Sequence, residues 1–159
     1  MKKLSCLLLV LFSLSFISCS SDDATPIDDI NNPDDTLYIK YTLNGQQYEF
    51  EPETLTSLQI LVRGDGEVAG VYNSISLWMP TSPAIGSHPI TDAFPTDANI
   101  ATLYNANVWV GSEIVDAATG TMVITEVSEE YVKGTFSFSG TNDNGTTATV
   151  TNGSFRALK

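Results

Sequence analysis

"LYIKYTLNGQQYEF", residues 37–50, decides how the chain is read. Leu37, Ile39, Tyr41 and Leu43 alternate with Tyr38, Lys40 and Thr42, a repeat of two that sends every second side chain to the same face of an extended strand. Asn44-Gly45 interrupts the run, and Tyr48 and Phe50 follow it. Asn-Gly between alternating runs predicts a two-residue hairpin, because both central residues of that turn need φ > 0.

The period of two continues outward from this hairpin. Leu58, Ile60 and Val62 form an apolar edge that is expected to stop at Gly64-Asp65-Gly66. Val71, Ile75, Leu77 and Met79 form the next, closed by Pro80. Pro83 to Pro95, with three prolines and a glycine, is expected to be irregular, and Ile100 to Val110 to be one long strand. Met122 and Ile124, then Val132, Phe136 and Phe138, populate two more strands. Asn142-Asp143-Asn144-Gly145 turns the chain into a last strand over Thr147 to Ala157. Roughly eight to ten strands at a spacing of about 8–12 residues predict an all-β domain over residues 37–159. No stretch of that body carries a helical period. Sequential hairpins favour an antiparallel β-sandwich, with a flattened meander or lipocalin-like barrel as the alternative.

Residues 1–18 read differently. Met1-Lys2-Lys3 precedes an apolar run from Leu4 to Ile17, the layout of a secretory signal. The run is shorter than the roughly 20 apolar residues a spanning helix needs. The 159-residue chain has 7 Lys and Arg against 19 Asp and Glu, and loss of residues 1–18 would take two lysines and no acid. Such acidity excludes nucleic acid as a partner, because phosphate binding needs clustered Lys and Arg. Cys6 would leave with the signal, so Cys19 stands alone in the mature chain; no disulfide framework and no cysteine-zinc site can form within it.

Phe16-Ile17-Ser18-Cys19 resembles a bacterial lipobox. The resemblance implies cleavage before Cys19, diacylglycerol on its thiol and acylation, palmitate-like, of the new amine. Each acyl CH₂ buried adds about 0.8 kcal/mol, so two or three chains hold a soluble domain on a bilayer. In Ser20-Ser21-Asp22-Asp23, the absence of an early Asp departs from inner-membrane retention signals, and the later acids resemble the surface-export signal of Bacteroidota lipoproteins. The implied address is the outer membrane, lipid-anchored and facing the cell surface. Residues 19–36 then form an acidic tether: Asp pairs recur at 22–23, 28–29 and 34–35, with Pro26 and Pro33 between them, which predicts an extended disordered spacer. Asp35-Thr36-Leu37 resembles the acceptor motif of Bacteroidota protein O-glycosylation, implying a glycan on Thr36.

A second resemblance covers the end of the chain. "GTMVITEVSEEYVKGTFSFSG", residues 120–140, with "VTNGSF", residues 150–155, is similar to the C-terminal half of an uncharacterised Bacteroidota lipoprotein family. It implies fold and address but no chemistry. The residues themselves make structural sense: Gly134 begins a strand with Phe136 and Phe138 inward, and Gly153 suits a bulge that turns Phe155 to the core.

Chemistry-bearing motifs are scarce. The single histidine, His88, is expected in a solvated loop. There is no Gly-x-Ser-x-Gly elbow, phosphate loop or His-Glu-x-x-His. Asn142 to Gly145 fails as a calcium loop, since its first-ligand position is Gly140 and its last Thr151. Glu49, Glu51, Glu53, Glu113, Asp116, Glu126, Glu129 and Glu130 leave open a carboxylate pair for glycosidic hydrolysis, which requires two acids about 5–9.5 Å apart across a cleft. That is a remote alternative; the expectation is a non-catalytic protein without metal or cofactor.

A better lead is aromatic. Alternation puts Tyr72 and Trp78 on a face with Ser74 and Ser76, and Trp109 on a face with Asn105 and Asn107. Indoles beside amides suit a sugar, whose ring C–H groups lie on a flat apolar surface while its hydroxyls find polar groups. The competing expectation, and the weightier one, is that both tryptophans are core, because Ala101 and Leu103 would share Trp109's face. Two functions are thus open: a surface-tethered binding module for glycan or protein, and an accessory lipoprotein acting with an envelope protein.

Overall fold

In the computed structural model, residues 36–159 are described. The signal segment 1–18, Cys19 and all but the last residue of the expected tether lie outside them. The described chain forms eleven strands: β1 (Tyr38–Leu43), β2 (Gln46–Phe50), β3 (Pro52–Thr56), β4 (Gln59–Val68), β5 (Val71–Pro80), β6 (Gly86–Thr91), β7 (Asn105–Val110), β8 (Glu113–Asp116), β9 (Thr119–Val127), β10 (Tyr131–Thr141) and β11 (Thr147–Leu158). One sheet has six strands in the order β2-β1-β11-β10-β9-β6, the other five in the order β3-β4-β5-β7-β8. All pairings are antiparallel, and the two sheets pack together as a sandwich without closing into a barrel.

The opening hairpin forms as read. Asn44 and Gly45 take φ of 48° and 90°, and Tyr41 pairs with Tyr48 across the turn. Ile39, Tyr41 and Leu43 face inward and meet Ile60, Val62, Ile75, Leu77 and Val108 of the other sheet, all buried. The terminal motif also behaves as read. Phe136, Phe138 and Phe155 enter the core, and the register of β10 on β11 shifts between Phe136 and Phe138, where Asn152 has φ 53°. The extra residue of this bulge turns Phe155 wholly inward.

Four expectations are corrected. Gly64 and Gly66 do not stop a strand; β4 runs through them to Val68 and turns at Ala69-Gly70, where φ is 54° and 76°. Both glycines face inward, and Ile39 and Phe50 of the opposite sheet occupy the space their side chains would fill. Leu58 precedes β4 in a bend and is exposed, not core. The proline-rich segment contains β6, which tolerates Pro89 because it is an edge strand with one side unpaired. His88 therefore sits on a strand, its ring stacked on buried Tyr104 at 4.2 Å and its Nε2 2.7 Å from the Ala84 carbonyl oxygen. Finally, the long strand expected from Ile100 starts only at Asn105. The Ile100 N–H bonds to the Thr96 carbonyl and the Thr102 N–H to that of Asn99, so this stretch is a turn.

Candidate functional site on the five-stranded sheet

Paired residues of neighbouring antiparallel strands share a face, so the register maps the outer surface of the five-stranded sheet row by row. One row holds Leu55, Leu61, Trp78 and Asn105. The next holds Glu53, Arg63, Ser76, Asn107 and Asp116, one residue from each strand. Beyond it lie Asp65 with Ser74, Trp109 with Ile114, and Glu67 with Tyr72. Tyr72, Trp78, Asn105, Asn107 and Trp109, nominated from two separate stretches of sequence, thus stand on one face.

The expectation that both tryptophans are core is overturned. Both are half-buried and point away from the core, opposite Leu77 and Val108, which are fully inside. The reasoning failed at Ala101 and Leu103, which precede the strand and impose no alternation on Trp109.

At one end of the face, Trp78 borders a groove of about 330 Å³ whose far wall is the segment Asp92–Pro95. Phe94 stands out of that wall, 82% exposed. Asn105 builds the wall: its Nδ2 donates to the carbonyl oxygens of Thr91, at 2.6 Å, and Ala93, at 3.1 Å. Gln59 Nε2 likewise donates to the Leu103 carbonyl at 2.9 Å, tying down the segment's return. The Asn105 amide, expected to face a ligand, gives its Nδ2 donors to the wall. Asn107 makes only a long bond, from Nδ2 to Asp116 Oδ1 at 3.4 Å, and both residues line the groove.

At the other end, the Tyr72 ring stands at 89° to the Trp109 indole with centroids 5.8 Å apart. The Tyr72 hydroxyl donates to Asp65 Oδ2 at 2.9 Å and accepts from Arg63 Nη2. Arg63 Nε also lies 3.1 Å from Asp65 Oδ1, an ion pair without hydrogen-bond alignment. The Tyr72 contact above all, with Asp65 adding to it, raises the guanidinium pKa further above its ordinary value. Arg63 is therefore a fixed cation already neighboured by an anion and a phenol.

Three of the other acidic candidates have partners of their own. Glu113 accepts from Thr146 Oγ1, from Asn142 Nδ2 at 3.0 Å and from Asn144 Nδ2 at 2.8 Å, joining β8 to the turn between β10 and β11. Those bonds, Thr146's first, hold its carboxyl below the usual carboxylate value. Glu126 accepts from the Tyr131 hydroxyl, and Glu49 pairs with Lys40 at 3.0 Å. Among the described residues, no three His, Cys, Asp or Glu side chains are grouped to hold a metal ion. Thr36 is exposed at the start of the described chain.

Sequence reasoning missed Phe94, Arg63, Asp65 and Leu61. Arg63 and Asp65 were legible once the alternation of Ile60 and Val62 is carried through Gly64 instead of ended there. Phe94 carried no periodic signal, being in a loop. Comparison with known proteins finds no matching family model, no matching curated protein and no matching solved structure.

Proposed function

We propose that this protein is a lipid-anchored, non-catalytic binding protein of the outer membrane, facing the cell surface, which holds a glycan on the outer face of its five-stranded sheet. The observation that carries the binding reading is the convergence of two half-exposed indoles, one beside a groove, with an amide and a carboxylate between them. Aromatic faces supply apolar contact for sugar rings, and Asn107 and Asp116 supply acceptors for hydroxyls. The anchor rests on the lipobox-like residues ending at Cys19, which lie outside the described structure.

The test is retention on a polysaccharide array. The native protein should bind at least one glycan, and Trp78→Ala should lose it without loss of the cooperative thermal transition. An array without a hit, or equal binding by that variant, refutes the reading. Cys19→Ala should abolish incorporation of labelled palmitate; unchanged labelling refutes the anchor. An intact mass of native protein lacking a sugar increment on Thr36 refutes the glycosylation reading.

A second reading has its own support. Leu55 is 65% exposed in the same row as Trp78, and Phe94 projects nearby, which suits an envelope protein docking on apolar anchors. Under it, Leu55→Ser and Phe94→Ser would remove a co-purifying partner while leaving array binding absent. Glycan hydrolysis, the third and remotest reading, would require product release from the retained polysaccharide.

A further inference from the structure

Two aromatic stations on one sheet face raise the question of whether they serve one ligand. Trp78 pairs with Asn105, and Trp109 lies four residues further along the same strand. At about 3.3 Å per residue the backbone positions of the two tryptophans are separated by about 13 Å along the strand direction. They stand on adjacent strands, so a line joining them runs close to the strand axis. Ser74 and Ser76 occupy the outward positions of β5 between Trp78 and Tyr72, and both are buried under taller neighbours although they face outward. The surface between the stations is therefore formed by those neighbours and not by the serines, with Asn107 the one β7 side chain facing outward between Asn105 and Trp109.

The stations are also stiff. Tyr72 is held through its hydroxyl by Asp65 and Arg63 while its ring packs at right angles to Trp109. The wall beside Trp78 is pinned by the two bonds from Asn105. Rigid aromatics lose little conformational freedom on binding, which favours a ligand that makes modest contacts at each station.

Charge restricts the ligand class. Glu53, Asp65, Glu67, Asp116 and the groove residue Asp92 surround the platform, against Arg63, which is engaged with Asp65 and Tyr72. Lys40, Lys133 and Arg156 belong to strands of the other sheet. At about 0.15 M salt charges still act over roughly 8 Å, so a carboxylated or sulfated chain on this face meets net repulsion. Hydroxyl donors meet acceptors instead.

We infer that the face is a two-station platform for an unbranched sugar chain without acidic groups that lies along β5 and β7, from the groove at Trp78 to the corner made by Trp109 and Tyr72. This rests on the glycan reading above and adds to it the ligand's charge, its length and its direction across the fold. A chain spanning both stations gains the second contact intramolecularly, whereas a short one occupies a single station.

Calorimetry at about 0.15 M salt tests this, with native protein and di- and hexasaccharides of neutral β-glucan, xylan and mannan, alongside the hexasaccharide of polygalacturonate. The expected result is a neutral hexasaccharide that binds about tenfold or more tightly than its own disaccharide. Trp78→Ala and Trp109→Ala should each weaken that hexasaccharide about tenfold. Because Trp109→Ala risks the packing of Tyr72, Tyr72→Phe provides a milder probe that frees the ring and should weaken the hexasaccharide severalfold. The length dependence is read on the unaltered protein and needs no variant. Equal affinity for both lengths overturns the two-station arrangement, and equal or better binding of the uronate hexasaccharide overturns the exclusion of acidic chains, while both results leave glycan binding standing. Binding to no member of the panel overturns the glycan reading itself and this inference with it.

Discussion

Gly64→Ala is the sharpest test of how the two sheets fit. Gly64 faces inward from β4 toward β1, and a Cβ added there would lie well inside van der Waals contact of Ile39 Cγ2 and 3.3 Å from Phe50 Cβ. Neither side can retreat. Ile39 is fully buried and its strand is paired on both edges, with Phe50 and with Phe155. Gly64 is likewise paired on both edges, with Pro52 and Ile75. Over-packing of a closed core costs about 1–3 kcal/mol, and a site with both backbones fixed belongs at the upper end, ~3 kcal/mol. For a body of this size each kcal/mol lowers Tm by about 4 °C, so Gly64→Ala should melt roughly 12 °C below the native protein. Ile39→Ala alone removes the clashing atom and leaves a cavity, at a cost of about 3–4 kcal/mol. In the double variant the new methyl enters that cavity, so the losses should fall short of additive by more than about 1 kcal/mol. Differential scanning calorimetry on all four proteins closes the cycle. A Tm for Gly64→Ala within about 2 °C of native, or strictly additive losses, would refute the close approach of the sheets at this point.

Three further outcomes follow from other residues. Ala69 holds φ 54° at the β4–β5 turn, a conformation that costs a non-glycine residue about 1–2 kcal/mol but that Asn tolerates better. Ala69→Asn, which recreates the Asn-Gly of the first hairpin, should raise Tm by about 2–4 °C; a lower Tm would contradict the turn. Glu113 has a folded pKa below its unfolded one, so its contribution to stability is present above the ordinary carboxylate range and is lost as pH falls through the depressed folded value. The Tm gap between native protein and Glu113→Ala should therefore be open at neutral pH and narrow as the pH falls below the ordinary carboxylate range, and a gap independent of pH would exclude the hydrogen-bonded carboxylate as its cause. Asn105→Ala removes both ties to the segment at Thr91 and Ala93, so a broad-specificity protease should cut between Asp92 and Pro95 faster than in native protein at a temperature where both are folded. Unchanged cleavage there would show that the wall does not depend on Asn105.

The parts of the fold that were legible share one property: a local pattern and the tertiary outcome agreed. Leu37 to Phe50 has the period, the turn residues and the apolar face of a hairpin, and it is one. The bulge at Asn152-Gly153 was legible because Phe155 needs a shift of register there to reach the core. The failures arose where one residue type has two physical meanings. Gly64 and Gly66 were read for conformational freedom, yet they serve by lacking a Cβ that Ile39 and Phe50 would meet. The turn that ends β4 is instead Ala69-Gly70, whose first residue gives no sign of a positive φ. Pro89 was read as a breaker, and its effect depends on whether the strand is at an edge, a fact of topology that no local window contains. For the candidate site, alternation alone placed Tyr72, Trp78, Asn107 and Trp109 correctly relative to their own strands. It could not say that β5 and β7, more than twenty residues apart in sequence, lie side by side.

That adjacency is also what separates the two outer faces of the sandwich. The middle of the outer face of the six-stranded sheet carries Thr121, Thr135, Ser137, Ser139, Thr149 and Thr151 in register, with Lys133 among them, while Tyr38 and Tyr131 stand at one end with Lys40 and Arg156 over their rings. Short hydroxyl side chains there are sufficient to cover a solvated sheet, and β-branched threonine suits the strand. The five-stranded sheet instead exposes Leu55, half-exposes two indoles and places its acids around them. Solubility does not require this: serine or threonine at 78 and 109 would cover the sheet equally well, as they do over the middle of the sheet opposite. Two indoles left partly in water beside a wall held in place by Asn105 and Gln59, unlike the tyrosines opposite that lie under Lys40 and Arg156, are therefore better accounted for by what they contact than by what they stabilise.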